Sequence, residues 1–124
     1  MNIIVTSDYL DDHPNCIFVY GDNLIHKGKA GAAALRDHPQ TYGFVTKKYP
    51  GRKDTDYFTI EEYKLIFEKE CKKFLDYVKA NPDKIFLVSK MGSSLANRYH
   101  IYETIIKPVI SKWEDEYLNI KLVY

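Results

Sequence analysis

The 124-residue chain has only two cysteines, one tryptophan, six glycines and five prolines. Cys16 falls in the apolar run CIFVY and Cys71 in a helical pattern, with no C-x-x-C spacing, so neither a disulfide framework nor a cysteine metal site is expected. Charge of one sign is also missing. Eighteen Lys and Arg offset seventeen Asp and Glu, for a net charge of +1, which argues against a broad nucleic-acid surface. No apolar run is long enough for a signal sequence or a membrane span, so a cytoplasmic setting without membrane contact is expected. His13, His26, His38 and His100 are scattered without ligand spacing, so no metal is expected. The standard phosphate motifs G-x-x-x-x-G-K-[ST] and G-x-G-x-x-G are absent, as is G-x-S-x-G.

Aromatics are abundant at 15 %, with eleven tyrosines. The runs at 2–6, 16–20, 42–46, 84–89 and 119–124 are short, rich in β-branched and aromatic residues, and bounded by turn formers. They predict about five strands. Several are apolar throughout rather than alternating, which suits strands covered on both faces. Three main helices are predicted between them. KAGAAALRDH is short and alanine-rich. TIEEYKLIFEKECKKFLDYVKANP carries a Thr59/Glu62 capping box, one-face apolar spacing and an Asn81-Pro82 stop. The third lies roughly within 98–117, with Tyr102, Ile105, Ile106, Val109, Ile110 and Trp113 inward, kinking or restarting at Pro108. The order β-β-α-β-α-β-α-β implies a single α/β domain over 1–124 with a mixed, mainly parallel sheet.

Ligands of such sheets gather beyond the carboxyl ends of the strands, which selects loops 21–31, 47–57 and 90–98. In GDNLIHKGKAG, Gly28 and Gly31 let backbone approach a ligand and Ala30 keeps bulk away. The helix start that follows favours an anion. A plain polar connection reads the same residues differently. In TKKYPGRKDTDYF, four cations surround Pro50-Gly51; Thr46 and Lys47 are placed to touch a ligand, or the loop is simply solvated. In SKMGSSLANRYH, Gly92, Ser93 and Ser94 have the composition of an anion nest, or of an ordinary strand-to-helix turn. Two such loops at one sheet edge could clamp a diphosphate from both sides.

TKKYP, the long helix, KIFLVSKMGSSLANRYHIYETIIKPVISK and IKLVY together resemble macrodomains, and look most like the terminal ADP-ribose protein glycohydrolase branch. FVYGDNLIHKGKAGAAAL is also similar to a compact phage and bacterial family of unknown function. The resemblance covers most of the chain from Ile17 onward. It implies a compact three-layer α/β/α domain and a small-molecule partner, ADP-ribose or a relative. Asn23, Gly28, Ala30 and Gly31 would hold the distal ribose and diphosphate, and Gly92, Ser93, Ser94 and Leu95 would close over the diphosphate. Adenine would pack near Asp8 or Tyr9. In a phage-like setting the protein would sequester a nucleotide defence signal. Ala96 stands where that branch carries its catalytic Asp, which favours binding without a cofactor over cleavage. Two alternatives stand beside it: an ADP-ribosyl glycohydrolase or phosphoesterase using Asp22 or His26 as base, and a protein or nucleic-acid interaction module using the basic loop.

Overall fold

The computed structural model describes residues 2–124. Four strands are present: β1 (Cys16–Asn23), β2 (Thr41–Lys47), β3 (Ile85–Val88) and β4 (Ile120–Leu122). They form one sheet in the order β2-β1-β3-β4, and every neighbouring pair is parallel. The sheet is thus wholly parallel rather than mixed.

Strand β1 explains its own apolar run. It lies between β2 and β3, and its alternate residues enter different cores. Ile17 and Val19 join Phe44, Phe86, Val88, Phe74 and Trp113 in the larger cluster. Cys16, Phe18 and Tyr20 join Leu10, Ala33, Leu87 and Val123 in the smaller one. The larger cluster is roofed by α2 (Ile60–Ala80), which buries Tyr63, Phe67, Phe74 and Val78. Its N-terminus carries the predicted capping box: Glu62 N–H donates to Thr59 Oγ1 at 3.3 Å and Thr59 N–H to Glu62 Oε1 at 3.0 Å. Helix α2 also guards edge strand β2, where Val45 N–H donates to Glu70 Oε1 at 2.7 Å and Val45 C=O accepts from Tyr63 Oη at 2.6 Å.

Three elements differ from expectation. Segment 2–6 is no strand: among the described residues one backbone bond ties it to the sheet, Ile3 N–H to Val123 O at 3.3 Å, and Ile4 is 88 % exposed. Thr6 caps α1 (Ser7–Asp12), accepting from Tyr9 N–H at 3.1 Å, and Leu122 N–H on edge strand β4 is taken by Glu114 Oε1. A helix start and a blocked edge leave the β-prone residues without a ladder. KAGAAALRDH forms only a five-residue 3-10 helix, Gly31–Leu35; Gly31 has φ +60°, outside the helical region, and Pro39 ends the segment. The last helical region is broken into a π-helical turn (Tyr102–Ile106), α3 (Lys107–Ile110) and α4 (Trp113–Glu116). The restart at Pro108 falls in the first turn of α3, where a missing N–H costs nothing. Val109 points outward at 40 % exposure, while Ile106, Ile110 and Trp113 are buried.

Strand β1 leads to β2 on one side of the sheet, and β3 leads to β4 on the other. The carboxyl ends of β1 and β3 therefore form a topological switch point, where a crevice opens.

Candidate functional site

A cavity of about 330 Å³ occupies that crevice, lined by residues of all three loops. From the first loop come Asn23, Gly28, Ala30 and Gly31; from the end of β2, Thr46 and Lys47; from the third loop, Gly92, Ser94 and Leu95. Ser93 does not line it, and its hydroxyl donates to Lys90 O at 2.7 Å. The loops meet around the space. A Cβ on Gly28 would lie 3.6 Å from Pro50 Cβ, and one on Gly31 would lie 3.3 Å from Leu95 Cδ1. Gly92 has φ +77°, and a Cβ there would run into Ile106 Cδ1 at 2.5 Å, so the third loop can turn against the core only with glycine.

The base of the first loop is an ion-pair network that sequence spacing did not expose. Asp22 is buried, and both its oxygens are occupied. Oδ1 accepts from Arg36 Nη1 at 2.6 Å and from Asn23 N–H at 2.8 Å; Oδ2 faces His26 Nδ1 at 2.6 Å. Arg36 also donates from Nε to Gly28 O at 2.8 Å and from Nη2 to Lys27 O at 3.2 Å, so one side chain fixes the loop's backbone on both sides of Lys27. Gly43 of β2 makes the room: a Cβ there would sit 2.5 Å from Asp22 Oδ2. Asp22 is thereby a saturated anchor rather than a free base. His26, a φ +56° residue, lies outside the cavity lining with its ring largely exposed.

Asn23 also works within the loop. Its Nδ2 donates to Lys27 O at 2.7 Å and its Oδ1 accepts from Ile25 N–H at 3.2 Å, an Asx turn that shapes the backbone. Both ends of the amide are thus engaged within the loop itself. Asp8 and Tyr9, on α1, line no part of this cavity.

The walls are cationic. Lys27, Arg36, Lys47, Arg52 and Lys90 line the space, and Asp22 is its sole carboxylate. Arg36 is neutralised by Asp22. Among the described residues, Lys27, Lys47, Arg52 and Lys90 have no carboxylate within ion-pair distance. Lys47 Nζ donates to Gly51 O at 2.5 Å and stands 4.5 Å over the Tyr57 ring. Burial holds the Lys47 ammonium below the usual lysine range, against the opposing pull of the Asp56 carboxylate.

Hydrogen-bond donors without acceptors accompany those cations. Thr46 is 3 % exposed, and among the described residues its hydroxyl has no partner. The amides of Gly92, Ser94 and Leu95 likewise meet no protein acceptor there. Neither cysteine offers chemistry at the site: burial raises the Cys71 thiol to about 12 and pushes Cys16 up as well. Among the described residues no three His, Cys, Asp or Glu side chains gather as a metal site would require, and no helix is long and apolar enough to cross a membrane.

Sequence reasoning missed Gly21, Lys27, Arg36, Arg52, Tyr57 and Lys90 as lining residues. For Gly21, Lys27, Arg52, Tyr57 and Lys90 a signal existed, since each lies within a selected loop. For Arg36, fourteen residues beyond Asp22, none did.

A model of a family of unknown function (DUF7831) matches residues 1–97, and the chain belongs to that family. The matched span contains every residue lining the cavity. No curated protein and no solved structure matches the chain.

Proposed function

We propose that this chain binds a phosphate-bearing nucleotide of the ADP-ribose class, gripped by main-chain amides and cations at the switch point of the sheet. One observation carries the reading. Lys27, Lys47, Arg52 and Lys90 converge on one cavity whose only carboxylate is already neutralised, in a chain whose net charge is just +1. So concentrated a field raises the local density of anions. A volume of about 330 Å³ falls at the lower end of the roughly 300–1,000 Å³ range of small-molecule sites, too confined for a duplex nucleic acid. The resemblance of the loop motifs to macrodomains narrows the anion to an ADP-ribose relative. The packing of α1 and the 3-10 helix against one apolar cluster, and of α2 against the other, supports a macrodomain-like three-layer arrangement.

A thermal-shift panel of ADP-ribose, cyclic ADP-ribose isomers, NAD, AMP and cyclic dinucleotides tests the reading. A ligand at one hundred times its Kd stabilises the fold by about 2.7 kcal/mol, which is several degrees for a chain of this size. A flat panel overturns the proposal.

Lys47 adds a pH signature. Its ammonium is disfavoured by burial in the free protein, and a phosphate beside it favours the charged form. Binding therefore takes up a proton wherever the free protein has begun to lose it. Affinity is expected to be full below the depressed pKa and to fall as pH rises through it, before the 10.5 of an ordinary lysine is reached. Calorimetry between neutral and alkaline pH reads this, and Lys47→Arg, which stays charged, is expected to flatten the profile. An identical profile in both proteins would remove Lys47 from the ligand.

A hydrolytic reading keeps one supporting feature: Asp22 holds His26 Nδ1, which leaves His26 Nε2 free to accept a proton. Release of ADP-ribose from a modified substrate, lost in His26→Ala, would establish it.

A further inference from the structure

We infer that the space a side chain of Gly21 would fill is the seat of one phosphoryl oxygen, held between Thr46 Oγ1 and the Gly92 amide; this deepens, and rests on, the phosphate-binding reading above. Gly21 sits near the carboxyl end of β1, at the mouth of the crevice. A Cβ built on it would lie 2.9 Å from Thr46 Oγ1 and 3.7 Å from Gly92 N. An atom just above that point is therefore within reach of a hydroxyl and an amide at once.

Among the described residues both groups lack a protein acceptor. Thr46 is 97 % removed from solvent and its hydroxyl has no partner among the described residues; since no buried side-chain polar atom among them is left unpaired, Oγ1 is the part of Thr46 still open to the cavity. Gly92 turns at φ +77°, and among the described residues its amide meets no acceptor. A hydroxyl that donates or accepts and an amide that donates border one space, which suits an acceptor oxygen.

The surroundings select its charge. Lys47 follows Thr46 in the chain, Lys90 precedes Gly92 by two residues, and both line the same cavity. A phosphoryl oxygen meets every one of these requirements. A sugar hydroxyl satisfies the two hydrogen bonds, since Thr46 Oγ1 also accepts, but it does not answer the charge of Lys47 and Lys90. Gly21 then serves close approach: any side chain would occupy the place of the oxygen.

Isothermal titration with ADP-ribose and with inorganic pyrophosphate tests the seat in four proteins: wild type, Thr46→Val, Thr46→Ser and Gly21→Ala. Thr46→Val keeps the shape and removes the hydroxyl; it is expected to weaken both probes by roughly 10- to 100-fold with little change in melting temperature. Thr46→Ser, which keeps the oxygen, is expected to recover most of that loss. Gly21→Ala is expected to weaken both probes as well, and should it fold poorly the Thr46 pair still decides. Wild-type affinity for both probes in Thr46→Val, while Lys47→Ala binds more weakly, overturns the seat and leaves the phosphate reading standing. A loss for ADP-ribose with none for pyrophosphate puts a sugar hydroxyl at Thr46 and overturns it too. A wild-type protein that binds neither probe overturns the seat together with the reading beneath it.

Discussion

Asp22→Ala is expected to destabilise the protein by about 3–5 kcal/mol, the range for deleting one partner of a buried ion pair. The Asp22 side chain is 3 % exposed and that of Arg36 is 13 %. Removing the carboxylate leaves a guanidinium half-sealed against the sheet, its Nη1 keeping only the 3.3 Å bond to Tyr20 Oη. It also frees His26 and the Asn23 amide in the same stroke. Asp22→Asn keeps the volume and part of the bonding, so its loss is expected to be smaller, about 1–3 kcal/mol. Gly43→Ala attacks the pair from the other side by pushing a methyl toward Asp22 Oδ2. Urea midpoints with an unchanged denaturant dependence would measure all three. A midpoint for Asp22→Ala within about 1 kcal/mol of wild type would mean that the network is ornamental. The size of the expected effect bears on catalysis too. Loss of any activity in Asp22→Ala is confounded by loss of the fold, so the exposed His26 is the residue whose replacement speaks to a hydrolytic step.

The same network marks the limit of what the chain's letters reveal. Strand β1 is legible because burial on both faces demands CIFVY, and α2 because its capping box and apolar face are local features. The three loops were legible as a group, since the carboxyl-edge rule needs only the strand order. Segment 2–6 misleads because strand propensity is a statement about side chains, whereas a ladder needs a free edge, and Glu114 occupies the Leu122 amide on β4. KAGAAALRDH misleads because alanine favours a helix while Gly31 turns to φ +60° to meet Leu95, a contact 64 residues away in the chain. Arg36 reads as an unremarkable helix-end cation until β1 and β2 lie side by side and bring Asp22 within its reach. Resemblance singles out Asn23 for a ribose, and it does line the cavity, yet its amide is committed to the loop that it shapes. Propensity is local, and clearance and charge pairing are decided by partners that only the fold supplies.

Ala30→Glu is expected to abolish binding, by about 100-fold or more, since a like charge set against a phosphate costs several kcal/mol and 2.7 kcal/mol already corresponds to a hundredfold. Ala30 is a cleaner place for that charge than its neighbour. Gly31 has φ +60° and abuts Leu95 Cδ1, so Gly31→Glu mixes backbone strain with electrostatics. Ala30 has φ −77° and ψ 143°, a conformation open to any residue, and it lines the cavity from an exposed position. A carboxylate there lies in the cavity lined by Lys27, Lys47, Arg52 and Lys90, in the place of the proposed anion. The fold is accordingly expected to be undisturbed, with an unchanged or higher melting temperature. Ala30→Gln supplies the same length without the charge and separates bulk from electrostatics: a modest loss for Gln beside a complete loss for Glu identifies an anionic ligand. Equal losses would indicate a neutral ligand excluded by size alone. Full retention of binding in Ala30→Glu would place the ligand away from the first loop, and the cations would then have gathered there for another purpose.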